Sequence, residues 1–439
     1  MRLLLLIPAL AVSVGAQQTP TRTLSRPAVE YDEPFSNLSS LRELRDGRLI
    51  ATDLRDKTLQ LIDIARGSAT AIGREGSGPT EWGLPTRALA MPGDSTYVAD
   101  LLNSRFLVVA PDGRPVRTFS PAADAAMQNI VRGGDASRGG AGGGRAGGRA
   151  GGGGGRGGAT FTIGGSSLLS ATATDARGRM YYVGSRLVMS ADGAPTQADS
   201  VPILRQSPGS PAIDTVAYVR TAPNSASVSG SRGSGNVAVR IGGGRPFESG
   251  DTWVVFPDGR VAIARAVDYR VDIVQTNKQI VRGAPVRYTP VRVTEADKRQ
   301  WRDAQRNAPM IAITSTARGG GAEQRSVQSG IGGTAQEPDS WPDVKSPFGG
   351  NSVFAAPSGE TWIFRQRAAN DRVPVADVFN LRGQLIGRVS LPAGIRVVAL
   401  GTHGVYAVRT DEDDLQYLQR YALQWENCPP ELAENCRAR

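Results

Sequence analysis

Histidine and cysteine are scarce in this sequence of 439 residues, which contains one histidine, His403, and two cysteines, Cys428 and Cys436. A single histidine cannot supply the several imidazole ligands of a histidine-based zinc centre. It could serve a Ser-His-Asp triad, but no GxSxG elbow occurs between a strand and a helix. We therefore predict no catalytic residue, and we interpret His403, in GTHGVY, as a loop residue that precedes a strand.

Long apolar runs are absent except at the N-terminus, which reads MRLLLLIPALAVSVGAQQTP. Arg2 precedes an apolar stretch that ends in the small residues Val14-Gly15-Ala16. The stretch is shorter than the roughly 20 residues of a membrane helix, and the pattern is typical of a secretory signal peptide. We predict cleavage after Ala16, so that residues 1–16 are removed. The mature chain should be secreted or periplasmic and should have no transmembrane segment.

Both cysteines lie in the C-terminal tail, residues 426–439, within CPPELAENC. Two neighbouring cysteines in an exported protein favour a disulfide, so we predict a Cys428–Cys436 bridge. A metal-binding pair is the alternative, and the absence of a neighbouring histidine argues against it.

Lysine occurs only at positions 57, 278, 298 and 345, so arginine supplies nearly all of the formal net charge of +10. Contact with an anionic surface is one interpretation of this charge, and a solvated basic surface is the other. Part of the excess lies in an Arg-Gly segment that resembles RNA-binding tracts but lacks interleaved aromatic residues. We therefore expect no nucleic-acid partner for an exported chain.

Short strand-like segments, rich in Val, Ile, Tyr and Thr, follow one another along most of the chain, as in 48–54, 106–111, 260–266 and 361–367. Asp-Gly and related pairs separate them and suit the positive φ values of tight turns. Six copies of one turn–strand–turn–strand sequence pattern can be placed along the chain. The copies that are easiest to align with the next one are spaced by about 45 residues. The sequence thus predicts an all-β fold, a six-bladed β-propeller.

The propeller should form one domain over residues 17–425, interrupted by Gly-rich inserts at about 133–158, 222–236 and 316–340. These inserts contain few apolar side chains, so we expect them to be disordered. One short peripheral helix is predicted in TEADKRQWRDAQRN, with a capping box at Thr294 and Trp301 as its anchor. Either 26–32 or 417–423 should supply the outer strand that closes the ring. We expect a monomer.

The stretch GREGSGPTEWGLP, residues 73–85, has the glycines of a phosphate-binding loop. A P-loop requires GK[ST] before a helix, but here Pro79 removes a backbone N–H and no lysine follows. A dinucleotide fingerprint requires a helix that the following residues do not favour. We interpret the stretch as the connector between the first two blades, anchored by Trp82.

The second repeat resembles an NHL repeat, with matching residues at Gly76, Gly78, Pro79, Pro85, Asp100, Asn103, Arg105 and Gly113. Most of residues 25–425 also resembles exported bacterial six-bladed propellers of the NHL/TolB-like type, through GSGPTEW, RYTPVRVTEADK and DEDDLQYLQRYAL. The resemblance implies the fold. It implies little about function, because propellers carry out many unrelated functions.

Propellers similar to gluconolactonases and strictosidine synthases use acidic and amide side chains around the channel, often with Ca²⁺. By that resemblance, the candidate ligand or metal-binding residues are Asp53, Asp100, Asn103 and Asp268, and the candidate channel or face arginines are Arg105 and Arg270. The alternative is that each aspartate caps its own turn and that the arginines pair with neighbouring blades. The acidic run TDEDD could likewise hold Ca²⁺, but it lacks the spacing of an EF-hand loop and suits a solvated hairpin tip.

Because recognisable catalytic constellations are missing, the favoured function is an exported, non-enzymatic binding or interaction module with an unknown protein or carbohydrate partner. We predict no cofactor for it. The alternative is a Ca²⁺-dependent lactonase-like or hydrolase-like enzyme that acts at the central channel.

Overall fold

A computed structural model describes residues 19–119, 160–161, 172–184, 187–189, 195–222, 226–230, 237–241, 245–307, 309–316, 324–331, 337–338 and 340–423. Within these ranges six sheets, each with a core of four antiparallel strands, form the blades of a propeller. Two N-terminal strands, β1 (Thr21–Thr23) and β2 (Val29–Glu30), pair with blades that come late in the chain.

The first two blades follow the predicted repeats. Blade one consists of β3 (Leu38–Glu43), β4 (Leu49–Asp53), β5 (Thr58–Asp63) and β6 (Ser68–Ala71). Blade two consists of β7 (Pro85–Ala90), β8 (Thr96–Asp100), β9 (Arg105–Val109) and β10 (Pro115–Phe119). A 3-10 turn at Pro92–Asp94 joins β7 to β8.

The third blade differs from the predicted repeat. It consists of β12 (Ala173–Thr174), β13 (Met180–Val183), β16 (Ser200–Gln206) and β17 (Ile213–Arg220). A separate five-stranded sheet contains β11 (Thr160–Phe161), β14 (Leu187–Met189), β15 (Pro195–Gln197), β18 (Ala226–Gly230) and β19 (Val237–Ile241). Residues Leu187–Met189 therefore belong to this inserted sheet, because an insertion interrupts the blade after β13.

Blade four consists of β20 (Thr252–Val255), β21 (Val261–Arg265), β22 (Arg270–Val274) and β23 (Ile280–Arg282). The predicted helix follows as α1 (Glu295–Asn307). Its capping box is present, since the backbone N–H of Thr294 donates to Asp297 at 2.8 Å. Trp301 packs edge-to-face on Trp341 at 5.3 Å, as expected of an anchor. A hairpin of β24 (Pro309–Thr316) and β25 (Gln324–Ile331) comes next.

Blade five consists of β26 (Phe348–Ala355), β27 (Thr361–Arg365), β28 (Val375–Phe379) and β29 (Leu385–Ser390), and β1 extends it in parallel. Blade six consists of β30 (Ile395–Gly401), β31 (Gly404–Thr410) and β32 (Gln416–Tyr421). The N-terminal strand β2 pairs with β32 and supplies the outermost strand of blade six. Both predicted segments thus take part in closure, which joins the two ends of the chain in one sheet.

The first strands of the six blades form a closed ring. Each of β3, β7, β12, β20, β26 and β30 contacts the first strand of the blade on either side. Six buried hydrophobic clusters fill the spaces between neighbouring blades, one for each junction. The core of this six-bladed propeller is therefore distributed around the ring rather than gathered in one centre.

Strand direction gives the propeller two different faces. The turns between first and second strands, and between third and fourth strands, lie on what we call the turn face, where they span two to six residues. Gly47, Gly113 and Gly259 there have φ values of 86°, 85° and 91°, as their Asp-Gly turns require. The second turns and the connectors between blades lie on the opposite face, which we call the insertion face.

All of the long interruptions, 120–172, 184–199, 221–251 and 283–347, leave the propeller from the insertion face. Two predicted inserts contain strands where disorder was expected: β18 lies within 222–236 and β25 within 316–340. Each forms an antiparallel hairpin with a neighbouring strand, β18 with β19 and β25 with β24, which the composition of the inserts does not reveal. The predicted insert 133–158 and the Cys428–Cys436 bridge lie outside the described residues. No described helix has the length and apolar character needed to cross a membrane.

Candidate functional site: the insertion face and its arginines

The connector of residues 72–84 is fixed to blade two by hydrogen bonds to its backbone. Arg105 donates to the carbonyl oxygens of Ser77, Gly78 and Glu81, each at 2.9 Å. Asn103 donates to the carbonyl oxygen of Gly76 at 2.9 Å. The predicted connector is confirmed, and the glycine-rich stretch uses its carbonyl oxygens internally instead of presenting its N–H groups to a phosphate.

Trp82 anchors this connector from the other side. Its side chain is buried between blades one and two, and its indole N–H donates to the carbonyl oxygen of Ile72 at 2.8 Å. Glu81 is fixed by the backbone N–H of Gly78 at 2.8 Å, which lowers the pKa of the carboxyl group. The hydrogen-bonding groups named here are therefore paired within the connector and with blade two.

Asp100 lies at the end of β8 and is fully buried. Its carboxylate accepts the backbone N–H groups of Gly83 and Leu84 at 2.9 and 3.0 Å, and the side-chain amide of Asn103 at 2.7 Å. Arg105 approaches the same carboxylate at 3.3 Å. Every oxygen of Asp100 is thus occupied by donors of its own turn and connector.

The other candidate aspartates lie in other blades. Asp53 ends β4, is buried, and accepts the backbone N–H groups of Asn37, Arg55 and Asp56 at 2.8 to 3.0 Å. Asp268 lies in the second turn of blade four, where its side chain is about half exposed (52%) and pairs with Arg270. The structure does not bring Asp53, Asp100, Asn103 and Asp268 together around one point.

Two buried aspartates that sequence reasoning missed lie in the third strands of blades four and five. Asp272 pairs with Arg265 at 2.8 Å and with Arg270 at 3.0 Å. Asp377 pairs with Arg365 at 3.3 Å and Arg388 at 3.0 Å, and it also accepts the hydroxyl of Tyr269, whose pKa is raised by burial and by this carboxylate. An acidic residue within the apolar strands RVDIV and VADVF was the available signal.

The described ranges contain no group of three or more His, Cys, Asp or Glu side chains arranged to hold a metal ion. His403 lies on the turn face, as expected for a residue before β31, and contacts Glu43 of blade one. Glu43 accepts five donors from blade six: the backbone N–H groups of Thr402 and His403, the Thr402 hydroxyl, the His403 ring and the Tyr406 hydroxyl. This cluster joins the last blade to the first.

Charged residues are few on the six first strands, which carry only Arg42, Glu43, Arg87 and Arg396. Arg42 is buried and pairs with Asp94 at 2.7 Å on the turn face. Arg87 and Arg396 are exposed to solvent, whereas Glu43 is not. Desolvation nevertheless lowers the pKa of both exposed arginines, as expected for groups in a concave surface.

Arg87 and Arg396 lie near the ends of β7 and β30 that face the insertion face, on either side of blade one. Arg396 donates to the side-chain oxygen of Gln416 at 3.2 Å, and the same oxygen accepts the backbone N–H of Leu38. Sequence reasoning missed both arginines, although each stands second or third in a strand that is otherwise nearly uncharged. Each places a guanidinium group near the insertion-face end of its strand.

Two clefts in the described part of the propeller have linings that can be compared. A cleft of about 780 Å³ lies on the turn-face side of blade five, beside β1, with Arg22, Arg382 and Arg388 in its lining. A smaller cavity of about 290 Å³ lies on the insertion face, between the second turn of blade five and the segment that follows blade four. The larger cleft lies on the turn-face side, whereas Arg87 and Arg396 lie near the insertion face, so volume alone does not identify a binding site.

No family model and no curated protein matches the chain. Solved structures similar to it include a DUF4221 family member from Bacteroides vulgatus, with 8% identity, a TM-score of 0.41 and coverage of 90% of this chain and 94% of that one. They also include the calcium-binding protein regucalcin from Agrobacterium tumefaciens (9% identity, TM-score 0.31, coverage 94% and 99%) and a gluconolactonase from Xanthomonas campestris (9%, 0.33, 90% and 92%). At these values the similarities add nothing to the strand topology, which itself defines a six-bladed β-propeller.

Proposed function

We propose that this chain is an exported, non-enzymatic propeller of the NHL/TolB-like type that binds an anionic partner at its insertion face. The observation that carries the proposal is the placement of the exposed channel arginines. Arg87 and Arg396 lie near the same face from which all the long interruptions leave. That face therefore combines positive charge with the greatest variety of loops.

The charge distribution favours an anionic partner for physical reasons. Guanidinium groups in a concave, partly desolvated surface interact more strongly with an anion than the same groups on an open surface. The acidic residue of the first strands, Glu43, is occupied by donors of blade six near the turn face and does not offset this charge. Carboxylates of an acidic polysaccharide or an acidic polypeptide share the chemistry that these arginines recognise.

The test uses the full mature chain with polygalacturonate and polyglutamate as the two anionic probes and dextran as the neutral probe. We expect binding of an anionic probe that weakens as salt is raised, because the contacts are screened. The R87Q/R396Q double variant should bind about tenfold or more weakly, since each charge-assisted contact contributes about 1.5–3 kcal/mol. The relative affinities of the two probes distinguish a carbohydrate from a protein partner.

Arg66→Gln is the matched control, because Arg66 lies on the turn face and is largely exposed (83%) beside Asp63. It removes one positive charge without altering the channel. The proposal would be overturned if dextran bound as tightly as the anionic probes. It would also be overturned if R66Q lost as much affinity for those probes as the R87Q/R396Q double variant. Absence of binding to both anionic probes would do the same.

The Ca²⁺-dependent lactonase-like or hydrolase-like enzyme stays a prediction. It requires oxygen ligands that converge within about 2.3–2.6 Å of one point, whereas Asp53 accepts donors from its own turn and Asp100 accepts donors from its own turn and the preceding connector. Calcium titration followed by calorimetry, together with a lactone hydrolysis assay, tests it directly. Tight calcium binding that accompanies turnover would favour the enzyme over the binding module.

A further inference from the structure

The cavity of about 290 Å³ on the insertion face has an unusual concentration of positive charge. Its lining includes Lys345, Arg365 and Arg367, and the acid among its lining residues is Asp371. The volume lies near the lower limit of small-molecule sites, which span about 300–1,000 Å³. The cavity is therefore large enough for a small organic molecule and too small for a polymer.

The local backbone directs two arginines into this cavity. Arg365 ends β27, and the backbone N–H of Gln366 continues the pairing with β26 by donating to the carbonyl oxygen of Pro347 at 2.9 Å. Side chains two residues apart in an extended chain point to the same side. Arg365 and Arg367 accordingly line the same cavity, while the Gln366 amide is fixed by the carbonyl oxygen of Phe348 at 3.2 Å.

The positive charge of these arginines is incompletely neutralised within the described residues. Arg365 approaches Asp377 through Nε at 3.3 Å, but Arg388 binds the same carboxylate at 3.0 Å. Arg367 donates to the backbone carbonyl of Asp371 at 2.9 Å and has no carboxylate within 4.0 Å among the described residues. Desolvation lowers the pKa of Arg367 even though the charge of Asp371 acts in the opposite direction, so a bound anion would offset an existing electrostatic cost.

Lys345 forms the inner wall of the cavity, and its positive charge is neutralised by an ion pair. It is buried, pairs with Asp297 of α1 at 2.7 Å, and donates to the carbonyl oxygen of Arg367 at 2.6 Å. Its contact therefore fixes the backbone that carries Arg367. The cavity is built on a buried ion pair rather than on mobile surface side chains.

The remaining lining residues include the apolar side chains of Val291, Pro347 and Val375. An inorganic anion would leave these surfaces unused. We propose that the cavity binds a small organic carboxylate, whose carboxylate contacts the guanidinium groups of Arg365 and Arg367 and whose carbon skeleton packs on the apolar wall. Asp371, at the rim, provides an acceptor for a hydroxyl or ammonium group next to the carboxylate.

The inference concerns a separate cavity and does not depend on the anionic partner proposed above. The test uses propionate, lactate and alanine, which share one skeleton and differ in the group beside the carboxylate, with propionamide as the uncharged probe. Affinities are measured on the full mature chain by ligand-observed NMR. We expect the carboxylates to bind and propionamide to bind at least tenfold more weakly, with lactate or alanine tighter than propionate.

Arg367→Gln is the first variant, because the described hydrogen bond of its side chain goes to one backbone carbonyl and its loss should not unfold blade five. Arg365→Lys is the second, since it keeps the charge near Asp377 but removes the bidentate fork. Each should weaken propionate binding about tenfold or more. Arg382→Gln, on the turn face of the same blade, is the control and should bind like the parent chain.

Equal binding of propionamide and propionate would overturn the inference, as would parent-like propionate affinity in R367Q or an equal loss in R382Q. The R87Q/R396Q double variant should retain propionate binding. If it loses polygalacturonate binding alone, the two sites are separate; if it loses propionate binding as well, the assignment to this cavity is wrong.

Discussion

Replacing Asp100 by alanine should destabilise the propeller strongly, whereas the same change at Asp268 should not. Asp100 is fully buried, and its removal leaves the N–H groups of Gly83 and Leu84 without their acceptor. Each unsatisfied buried donor costs about 1–3 kcal/mol. Arg105 also loses a buried ionic partner. Water that partly enters the site would reduce the total loss of unfolding free energy. We expect a loss of about 4 kcal/mol, in the range of about 3–5 kcal/mol for a broken buried pair.

Asp268 provides the matched control because its half-exposed side chain has one ion pair, with Arg270. Exposed pairs contribute about 0–1 kcal/mol, so D268A should unfold at nearly the parent concentration of urea. D100N should fall between the two, since it keeps one carbonyl acceptor for the backbone but places an amide against the donors of Asn103 and Arg105.

The assay is urea unfolding followed by tryptophan fluorescence, with the midpoints and slopes of all variants compared under one condition. A D100A midpoint equal to that of the parent chain would refute the reasoning that Asp100 acts as a buried turn acceptor. A similar loss in D268A would refute it as well, because burial would then not decide the magnitude. Calcium is omitted, so that a ligand role for Asp100 cannot produce the same result.

Three further perturbations test ring closure and the docking of α1. Substituting Glu30 by glutamine should reduce the loss of stability on acidification: the hydrogen bond from Arg409 lowers the pKa of Glu30, so its contribution is present above the ordinary value of 4.5 and is lost as pH falls below it. Alanine at Glu43 should leave five donors of blade six without their acceptor and destabilise closure by about 2–4 kcal/mol, measured by thermal unfolding. Methionine at Lys345 should leave Asp297 buried and unpaired, which costs about 3–5 kcal/mol and should accelerate hydrogen exchange in α1.

Matched variants control these changes. Glu412→Gln, at the exposed tip of the last hairpin, should leave the pH dependence of the midpoint unchanged. Lys298→Met, which removes an exposed intrahelical pair, should alter exchange in α1 far less than the Lys345 variant. An E30Q variant whose stability falls as steeply as that of the parent chain when the pH is lowered through 4.5 would contradict the role of Glu30 in closure.

Much of the fold could be predicted from local sequence. The strand segments predicted at 48–54 and 106–111 depend on neighbours in the chain, and the structure places β4 and β9 there within two residues at each end. The capping box of α1 and the connector role of residues 73–85 are confirmed for the same reason. The third blade could not be predicted in the same way. The insertion after β13 separates its second and third strands, and the segment between them also has strand character.

The candidate site was less accessible to sequence reasoning. Asp100 and Asp268 were both candidate ligands, yet Asp100 ends β8 and is fully buried, whereas Asp268 lies in a turn and is half exposed. Sequence reasoning missed Asp377 and Arg367. Asp377 pairs with Arg388 of the next strand, and the carbonyl oxygen of Arg367 accepts a hydrogen bond from Lys345 of a distant segment. Chain distance hides such contacts, and no local pattern encodes them.

The sequence by itself determined the alternation of short strands and tight turns, since apolar periodicity and positive-φ glycines act over a few residues. Only the tertiary structure decided which ends of the strands share a face and which arginines meet in one cavity. Closure of the ring by β2 and β32 sets those relations, because it fixes every first strand around one axis. The residues next to a position in the sequence determine whether it lies in a strand, whereas closure of the ring determines which residues of other blades it contacts.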